Sequence, residues 1–420
     1  MRNGMRRLRV SAGVLGVELT VVESSRYDRE VDALIVSVRP YAAAGSRCGV
    51  CRRRCGGYDR GRGRRRWRTL DVGVKRCYLE ADMPRVRCPG HGVVAAWVPW
   101  ARHNAGHTLV FDQKVAWLTT RMSKAAVAGK LRIAWATVGE IIARVMADQD
   151  AVAGDRYAGL RRIGIDEISY KRGHKYLTLV VNHDTRHLLW MAEGRSKTTL
   201  ARFFVELGPD RCAGIELVSA DGADWIFNAV RDHCPHAEIC LDPFHVVAWA
   251  TKALDEVRRS VWNDARRAGN KILATSLQGA RYALWKNRDD LTGKQQTKLA
   301  MIAQTNKPLY KAYLLKELLR AVFAKPDATA GARLLDDWTS WATRSQVTPF
   351  VDLARKIRSY FRGDIINTLT HKLSNGLIES SNTKIRLLTR IAFGFKSAQA
   401  LIALAKLHLG GYNIQLPGRS

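Results

Sequence analysis

Three shortages bound this 420-residue chain before any motif is read. Acidic residues are scarce: 38 Asp plus Glu face 69 Lys plus Arg, leaving a formal net charge of +31. So large an excess repels itself without an anionic partner, and charge alone favours nucleic acid. No apolar run reaches the roughly 18 residues needed to span a bilayer, which argues against a membrane protein. No secretory signal is expected either, because the start at residues 1–8 resembles a basic n-region but leads into a thin apolar run that meets Glu18. The expected location is therefore the cytoplasm, on the nucleoid. The eight cysteines fall partly at metal-ligand spacing, which suits a reducing compartment better than a disulfide frame. Core-forming residues are plentiful: a hydrophobic content of 46% excludes wholesale disorder. The length allows roughly two to four domains.

Residues 17–22 and 33–38 read as strands and say little about function. Cys48-Gly-Val-Cys51 and Cys88-Pro-Gly-His91 then form two knuckles. Zinc takes four such ligands in a tetrahedron, and a two-residue gap lets both members of a knuckle reach one ion. Cys55 and Cys77 are spare and would substitute within the set; the competing reading is buried free cysteines with a loop histidine. The stretch between the knuckles is dense in arginine. Beside a zinc module in so basic a chain, Arg52, Arg53, Arg54, Arg64, Arg65 and Arg66 are expected at phosphates. Further on, Ser123 opens a helix to Leu131, residues 133–135 bend, and a second helix runs over 137–146. This suits a helix-turn-helix that offers Lys124, Thr137 and Arg144 to DNA; a plain helical hairpin is the alternative. Trp135, Val138 and Ile142 are assigned to its core.

From residue 161 the period changes to two. Ile163 and Ile165 alternate with Gly164 and Asp166, the run 176–182 is almost wholly apolar, and 187–193 follows after a second turn. A helix (197–207), a strand ending at Asp221-Gly222, a helix (224–231) and a strand ending at Asp242 complete the series. Three strands, helix, strand, helix, strand, helix is the order of a ribonuclease-H-like domain, in which first-strand and fourth-strand acids lie side by side. Residues 254–365 lose the strand signal and read as an all-helical insertion whose tryptophans are core. A last helix carries Glu379, Asn382, Arg386 and Arg390 on one face, with Lys384 beside them. Lys384, Arg386 and Arg390 are further candidates for DNA contact.

Phosphodiester cleavage needs an activated water and charge stabilisation on the leaving oxygen, which two hard cations supply. Asp166, Asp221 and Glu379 are the expected cage for magnesium or manganese. Asp242 is the rival for the second position. Gly222 favours Asp221, whereas Asp242 precedes a helix and would cap it or support the site through His245.

These motifs together resemble a family. Cys48-Gly-Val-Cys51 with Cys88-Pro-Gly-His91, Met122-Ser-Lys-Ala-Ala-Val127, Gly164-Ile-Asp-Glu167, Asp242-Pro-Phe-His245 and Asn375-Gly-Leu-Ile-Glu379 are similar to segments of DDE transposases of the bacterial ISL-three family. The resemblance implies an enzyme that binds terminal inverted repeats, nicks DNA with water and attacks target DNA with the freed 3′-hydroxyl. It also implies a magnesium requirement, Asp166, Asp221 and Glu379 as the acids, Asp242 and His245 as an auxiliary pair, and oligomers on double-stranded DNA. The expected layout is an N-terminal β segment (1–45), a zinc-binding domain (46–100) and a helix-turn-helix (101–155). An α/β, ribonuclease-H-like catalytic domain (156–253 and 366–420) follows, interrupted by the helical insertion (254–365). Two other readings remain: a non-catalytic DNA-binding regulator, and a structure-selective nuclease on the same fold.

Overall fold

The computed structural model describes residues 11–395 and 397–418. The start at residues 1–8, read above against a signal, lies outside the described residues. The chain divides into two compact units. One holds the chain up to Gly154, Arg390–Phe393 and the segment from Ala403 onward; the other holds Asp155–Thr389 and Gly394–Ile402.

The first unit opens with β1 (Thr20–Asp28), β2 (Ala33–Pro40), β3 (Gly56–Asp59), β4 (Arg64–Val72), β5 (Lys75–Asp82), β6 (Arg85–Cys88) and β7 (Gly92–Ala95). Four of these form a sheet in the order β1-β2-β5-β4, and β3-β6-β7 form a second, smaller one. The first strand starts later than its apolar pattern suggests, because Val17 is buried in the core ahead of the strand. Trp67 of β4 meets Trp100 edge-on with ring centroids 5.5 Å apart, and Leu34, Val36 and Leu79 close the core around them.

Three helices follow: α1 (Leu109–Thr119), α2 (Lys124–Leu131) and α3 (Trp135–Val152). Ser123 caps α2 by accepting from the Ala126 amide at 3.2 Å, and Arg132 ends it in the left-handed region at φ 55°. Only Arg132–Ala134 separate α2 from α3, and Val127, Leu131, Val138, Ile141 and Ile142 bury the shared face. Trp135 departs from the sequence reading. It begins α3, is 48% exposed, and stacks under the Lys124 ammonium at 3.5 Å. Residues 403–418, grouped above with the last catalytic part, pack in this first unit, where His408 Nε2 lies 3.2 Å from the Thr119 carbonyl.

The second unit begins with β8 (Arg162–Lys171), β9 (Lys175–Asn182), β10 (Leu188–Glu193), α4 (Lys197–Leu207) and α5 (Pro209–Ala213). β11 (Leu217–Ala220), α6 (Asp224–His233) and β12 (Glu238–Leu241) follow. The strands form one sheet in the order β10-β9-β8-β11-β12, with the first three antiparallel and β11 and β12 parallel to β8. Beyond β12 the described residues form helices. They are α7 (Pro243–Arg267), α8 (Lys271–Leu277), α9 (Arg281–Trp285), α10 (Gly293–Thr305), α11 (Lys307–Val322), α12 (Ala328–Thr343), α13 (Thr348–Lys356), α14 (Arg362–His371), α15 (Gly376–Ile391) and α16 (Ala398–Leu409). Trp338 is fully buried, and Trp262, Trp285 and Trp341 pack against the same core. At the β12 edge, Asn367 and Thr368 of α14 donate to the Ile239 and Leu241 carbonyls at 3.1 and 2.8 Å. Backbone acceptors that would otherwise lie open on an edge strand are thereby satisfied. No helix among the described residues is long and apolar enough to cross a membrane.

Candidate active site and metal centres

The two knuckles come together in the first unit. Cys48, Cys51, Cys88 and His91 hold their ligand atoms within 4.8 Å of one another. Cys51 Sγ lies 3.7 Å from Cys88 Sγ, and His91 Nδ1 lies 3.8 Å from Cys48 Sγ and 3.6 Å from Cys88 Sγ. A tetrahedral zinc with ordinary bond lengths sets its sulfurs about 3.7 Å apart and a sulfur–nitrogen pair about 3.6 Å apart. The donor set and its spacing therefore fit zinc. Burial opposes ionisation of Cys88, yet the Gly90 and His91 amides and the neighbouring thiols bring it down to about 7. Cys77 is different: fully buried in the β5 core, its thiol is pushed up by burial to about 11, and it lies outside the four-ligand group.

The acidic site grows out of strand register. Ser219 stands opposite Gly164 and Ala220 opposite Leu241. Two residues beyond the first pair, Asp166 lies in the middle of β8, while Asp221 and Asp242 directly follow the ends of β11 and β12. Asp221 sits where the chain leaves β11, and the next residue, Gly222, takes φ +86°. A Cβ there would meet Trp249 at 2.9 Å and Leu241 at 3.0 Å, so only glycine makes this turn without strain.

Asp166, Glu167 and Asp221 bring one carboxylate oxygen each within 4.8 Å of the others, all three half-buried. Adjacent strand residues normally face opposite ways. Here the register of β11 against β8 stops at Gly164, so Asp166 and Glu167 both lie past the last paired residue. Asp166 Oδ1 accepts from the Glu167 amide at 2.7 Å, and Asp166 Oδ2 from Asn382 Nδ2 at 2.7 Å. Glu167 is paired with Arg195 at 2.9 Å through one oxygen; its other oxygen is buried without a partner. Burial pushes the Asp166 carboxyl up to about 6 and that of Glu167 up to about 7, and the Asp221 charge adds to both. These hard oxygen donors, crowded and one of them orphaned, fit a divalent cation.

Asp242 does other work. Its Oδ2 caps α7 by accepting from the His245 amide at 3.3 Å and lies 3.1 Å from His245 Nδ1, while its Oδ1 accepts from the Asn375 amide at 3.2 Å. His245 turns Nε2 towards Asp221 Oδ2 at 3.9 Å. The hydrogen bond to Asp242 raises the His245 pKa above its ordinary value. Asp242 and His245 are thus tied to Asp221 and to the start of α15.

Asp166 and Asp221 were expected together and are. Glu379, expected with them, lies outside the three-carboxylate group and is exposed, one helical turn ahead of the buried Asn382. Sequence reasoning missed Glu167 and its partner Arg195. A signal was present, since Glu167 continues the phase of Ile163 and Ile165, the apolar face of the strand.

The expected DNA-contacting residues divide. Glu80 receives Arg64 at 3.5 Å and Arg66 at 2.8 Å, Arg65 donates to the Ala105 carbonyl at 2.7 Å, and Arg52 lies over Trp97. Arg144 lies 3.4 Å from the buried Asp112. These five are engaged within the fold. Arg53, Arg54, Lys384, Arg386 and Arg390 are exposed, and Thr137 is half-buried.

Comparison with known proteins adds three family matches. A model described as transposase covers residues 163–405. One described as the helix-turn-helix domain of transposase family ISL3 covers 98–146. One described as the zinc finger of the transposases of IS204, IS1001, IS1096 and IS1165 covers 44–91. The chain is 53% identical over 440 residues to the transposase for insertion sequence element IS1557 of Mycobacterium tuberculosis, covering 99% of this chain and 98% of the relative. It is 28% identical over 321 residues to the transposase for insertion sequence element IS1001 of Bordetella parapertussis, covering 71% of this chain and 76% of that protein.

Proposed function

The chain belongs to the ISL3 family of transposases, and from that membership we propose that it binds the inverted repeats at the ends of its own element and cuts there at the Asp166–Asp221 site. Transposases bind DNA, cleave it and transfer strands. The finer assignment is a nick made with water, followed by attack of the freed 3′-hydroxyl on target DNA. The convergence of Asp166, just past the last β8–β11 pair, with Asp221 at the end of the parallel neighbour β11 carries it. The strand order β10-β9-β8-β11-β12 supports a ribonuclease-H-like core. The helices from α8 to α13 would then be an insertion made before α14 returns to β12.

Magnesium or manganese, when bound, supplies charge neutralisation and water activation at the scissile phosphate. Asp166 and Asp221 would hold it, with Glu167 as an additional acid. Glu379 is assigned as the third acid of the set, because it shares the α15 face with Asn382, whose amide already meets Asp166. Asn382 and the Glu167 amide fix the Asp166 carboxylate, and Asp242 fixes His245, which steadies Asp221. Exposed Arg386 and Arg390 on α15, and Arg53 and Arg54 beside the zinc site, would meet phosphates. Assembly as a homo-oligomer on DNA, in the cytoplasm, belongs to the same proposal.

Incubation with element-end duplex and magnesium tests it. End-specific nicks with a 3′-hydroxyl, followed by joined products, are expected. Cutting of branched DNA without end preference or joining would favour a structure-selective nuclease instead.

Two further results are expected. Because the folded-state pKa values of Asp166 and Glu167 are raised, their contribution to the stability of metal-free protein is full below their ordinary values. It is lost as pH rises through about 6 and 7. A cation takes the deprotonated form. Magnesium should therefore raise the melting temperature by about 2–4 °C near pH 8 and far less near pH 5.5. An equal rise at both pH values would contradict the shared site. Secondly, His245→Gln should lower cleavage by roughly 10–100-fold, with a matching rise in the magnesium concentration required. Unchanged magnesium dependence would remove His245 from its positioning role.

A further inference from the structure

A groove of about 740 Å³ runs along one face of α7. Phe244, Val247, Thr251, Lys252 and Arg259 follow one another on that face at helical spacing, while Trp285, Arg320 and Phe323 form the opposite wall. Phe244 stands in the first turn of α7, next to His245. Its ring is 67% exposed and lies edge-on to His245, with centroids 6.1 Å apart, and His245 in turn faces Asp221 at 3.9 Å. The aromatic mouth of the groove is thus one side chain away from the carboxylates.

The charges along the groove favour an anion. Lys252, Arg259 and Arg320 line it against one acid, Asp255. Asp255 is already shared between Arg258 at 2.7 Å and Arg259 at 3.2 Å, and Arg320 is held by Glu317 at 2.6 Å. Lys252 is exposed and has no ion-pair partner among the described residues. Aromatic faces alternating with cations on a narrow track suit a single strand, whose bases stack on rings while phosphates meet ammonium and guanidinium groups. A base still paired in duplex presents only its edge, so it must leave the stack to lie against Phe244.

We propose that this groove holds unstacked nucleotides of the strand adjoining the bond to be cut, with bases against Phe244 and Trp285 and phosphates against Lys252 and Arg259. The inference rests on the carboxylate cluster being the cutting site. The occupant is single-stranded DNA; a peptide or a second copy of the chain would leave the cations facing no phosphate.

The test uses full-length protein and a short oligothymidylate carrying 5-iodouracil, which crosslinks to nearby aromatic rings under near-ultraviolet light. Crosslinks mapped by mass spectrometry to Phe244 or Trp285 are expected. Phe244→Ala, at an exposed position where folding is checked by thermal melting, should weaken oligothymidylate binding roughly tenfold, and Phe244→Trp should restore it. Crosslinks confined to other peptides, or unchanged affinity in Phe244→Ala, would overturn the proposal. Wild-type protein that binds duplex but shows no groove crosslink sinks the groove alone. Protein that binds neither duplex nor strand sinks the DNA-cutting assignment with it.

Discussion

Asp166→Asn and Asp221→Asn should each reduce end cleavage by at least about a thousandfold, several kcal/mol of transition-state stabilisation, while binding to end DNA stays intact. Both changes keep shape and remove charge. Asparagine at 166 keeps the Glu167 amide on its oxygen, and its Nδ2 can donate to the unpartnered Asn382 Oδ1 once that amide turns over, so the fold is kept and the cation is lost. Thermal melting of the metal-free variants should match or exceed the wild type, because removing one of three crowded carboxylates relieves repulsion. Asp242→Asn is the informative contrast. Asp242 is 3% exposed and accepts from two amides besides pairing with His245, so its loss should cost about 1 kcal/mol of stability. Its activity should fall through His245 rather than vanish. An active Asp221→Asn beside a dead, stable Asp242→Asn would exchange their roles.

How far the sequence alone reaches is clear around these acids. Period-two alternation located β8, apolar runs between turn clusters located β9 and β10, and the Asp-Gly pair located the end of β11, since glycine is required where φ turns positive. Position along a strand therefore placed Asp166 and Asp221 at one level. Pattern put Glu167 on the apolar phase of β8 but could not bring it together with Asp166, because strand alternation sends neighbours to opposite faces. Their meeting depends on where the register with β11 stops, which is a tertiary fact. Trp135 fails for a related reason: helical periodicity gives a face, but not which of its ends the neighbouring helix covers. The arginine run misleads in the other direction. Arg64 and Arg66 converge on a glutamate from the next strand, a pairing set by the β4–β5 register rather than by local composition. Residues 403–418 carry ordinary helical spacing, and nothing in that spacing says which core receives them.

Removing zinc should be the second large effect. Around the two knuckles the chain has only the short strands β3, β6 and β7, with little apolar core of its own, so the ion must carry much of the local folding energy. Structural zinc is worth about 10–16 kcal/mol in isolated zinc-finger peptides, far more than such strands retain by themselves. Purified protein is expected to hold one zinc per chain, and Cys88→Ser or a strong chelator to abolish it. Affinity for end DNA should then fall by about a hundredfold, while the cation-dependent melting shift of the second unit remains. His91→Cys keeps a tetrahedral donor set and should retain the metal. Cys77→Ala touches only the β5 core and should leave zinc content unchanged. Cys55 distinguishes the ligand sets: its sulfur donates to the Arg53 carbonyl at 3.3 Å, and Cys55→Ser should keep full zinc. Zinc retained by Cys88→Ser but lost from Cys55→Ser would move the fourth ligand to Cys55. No zinc in the wild type would leave the close approach of three thiols and an imidazole without a cause.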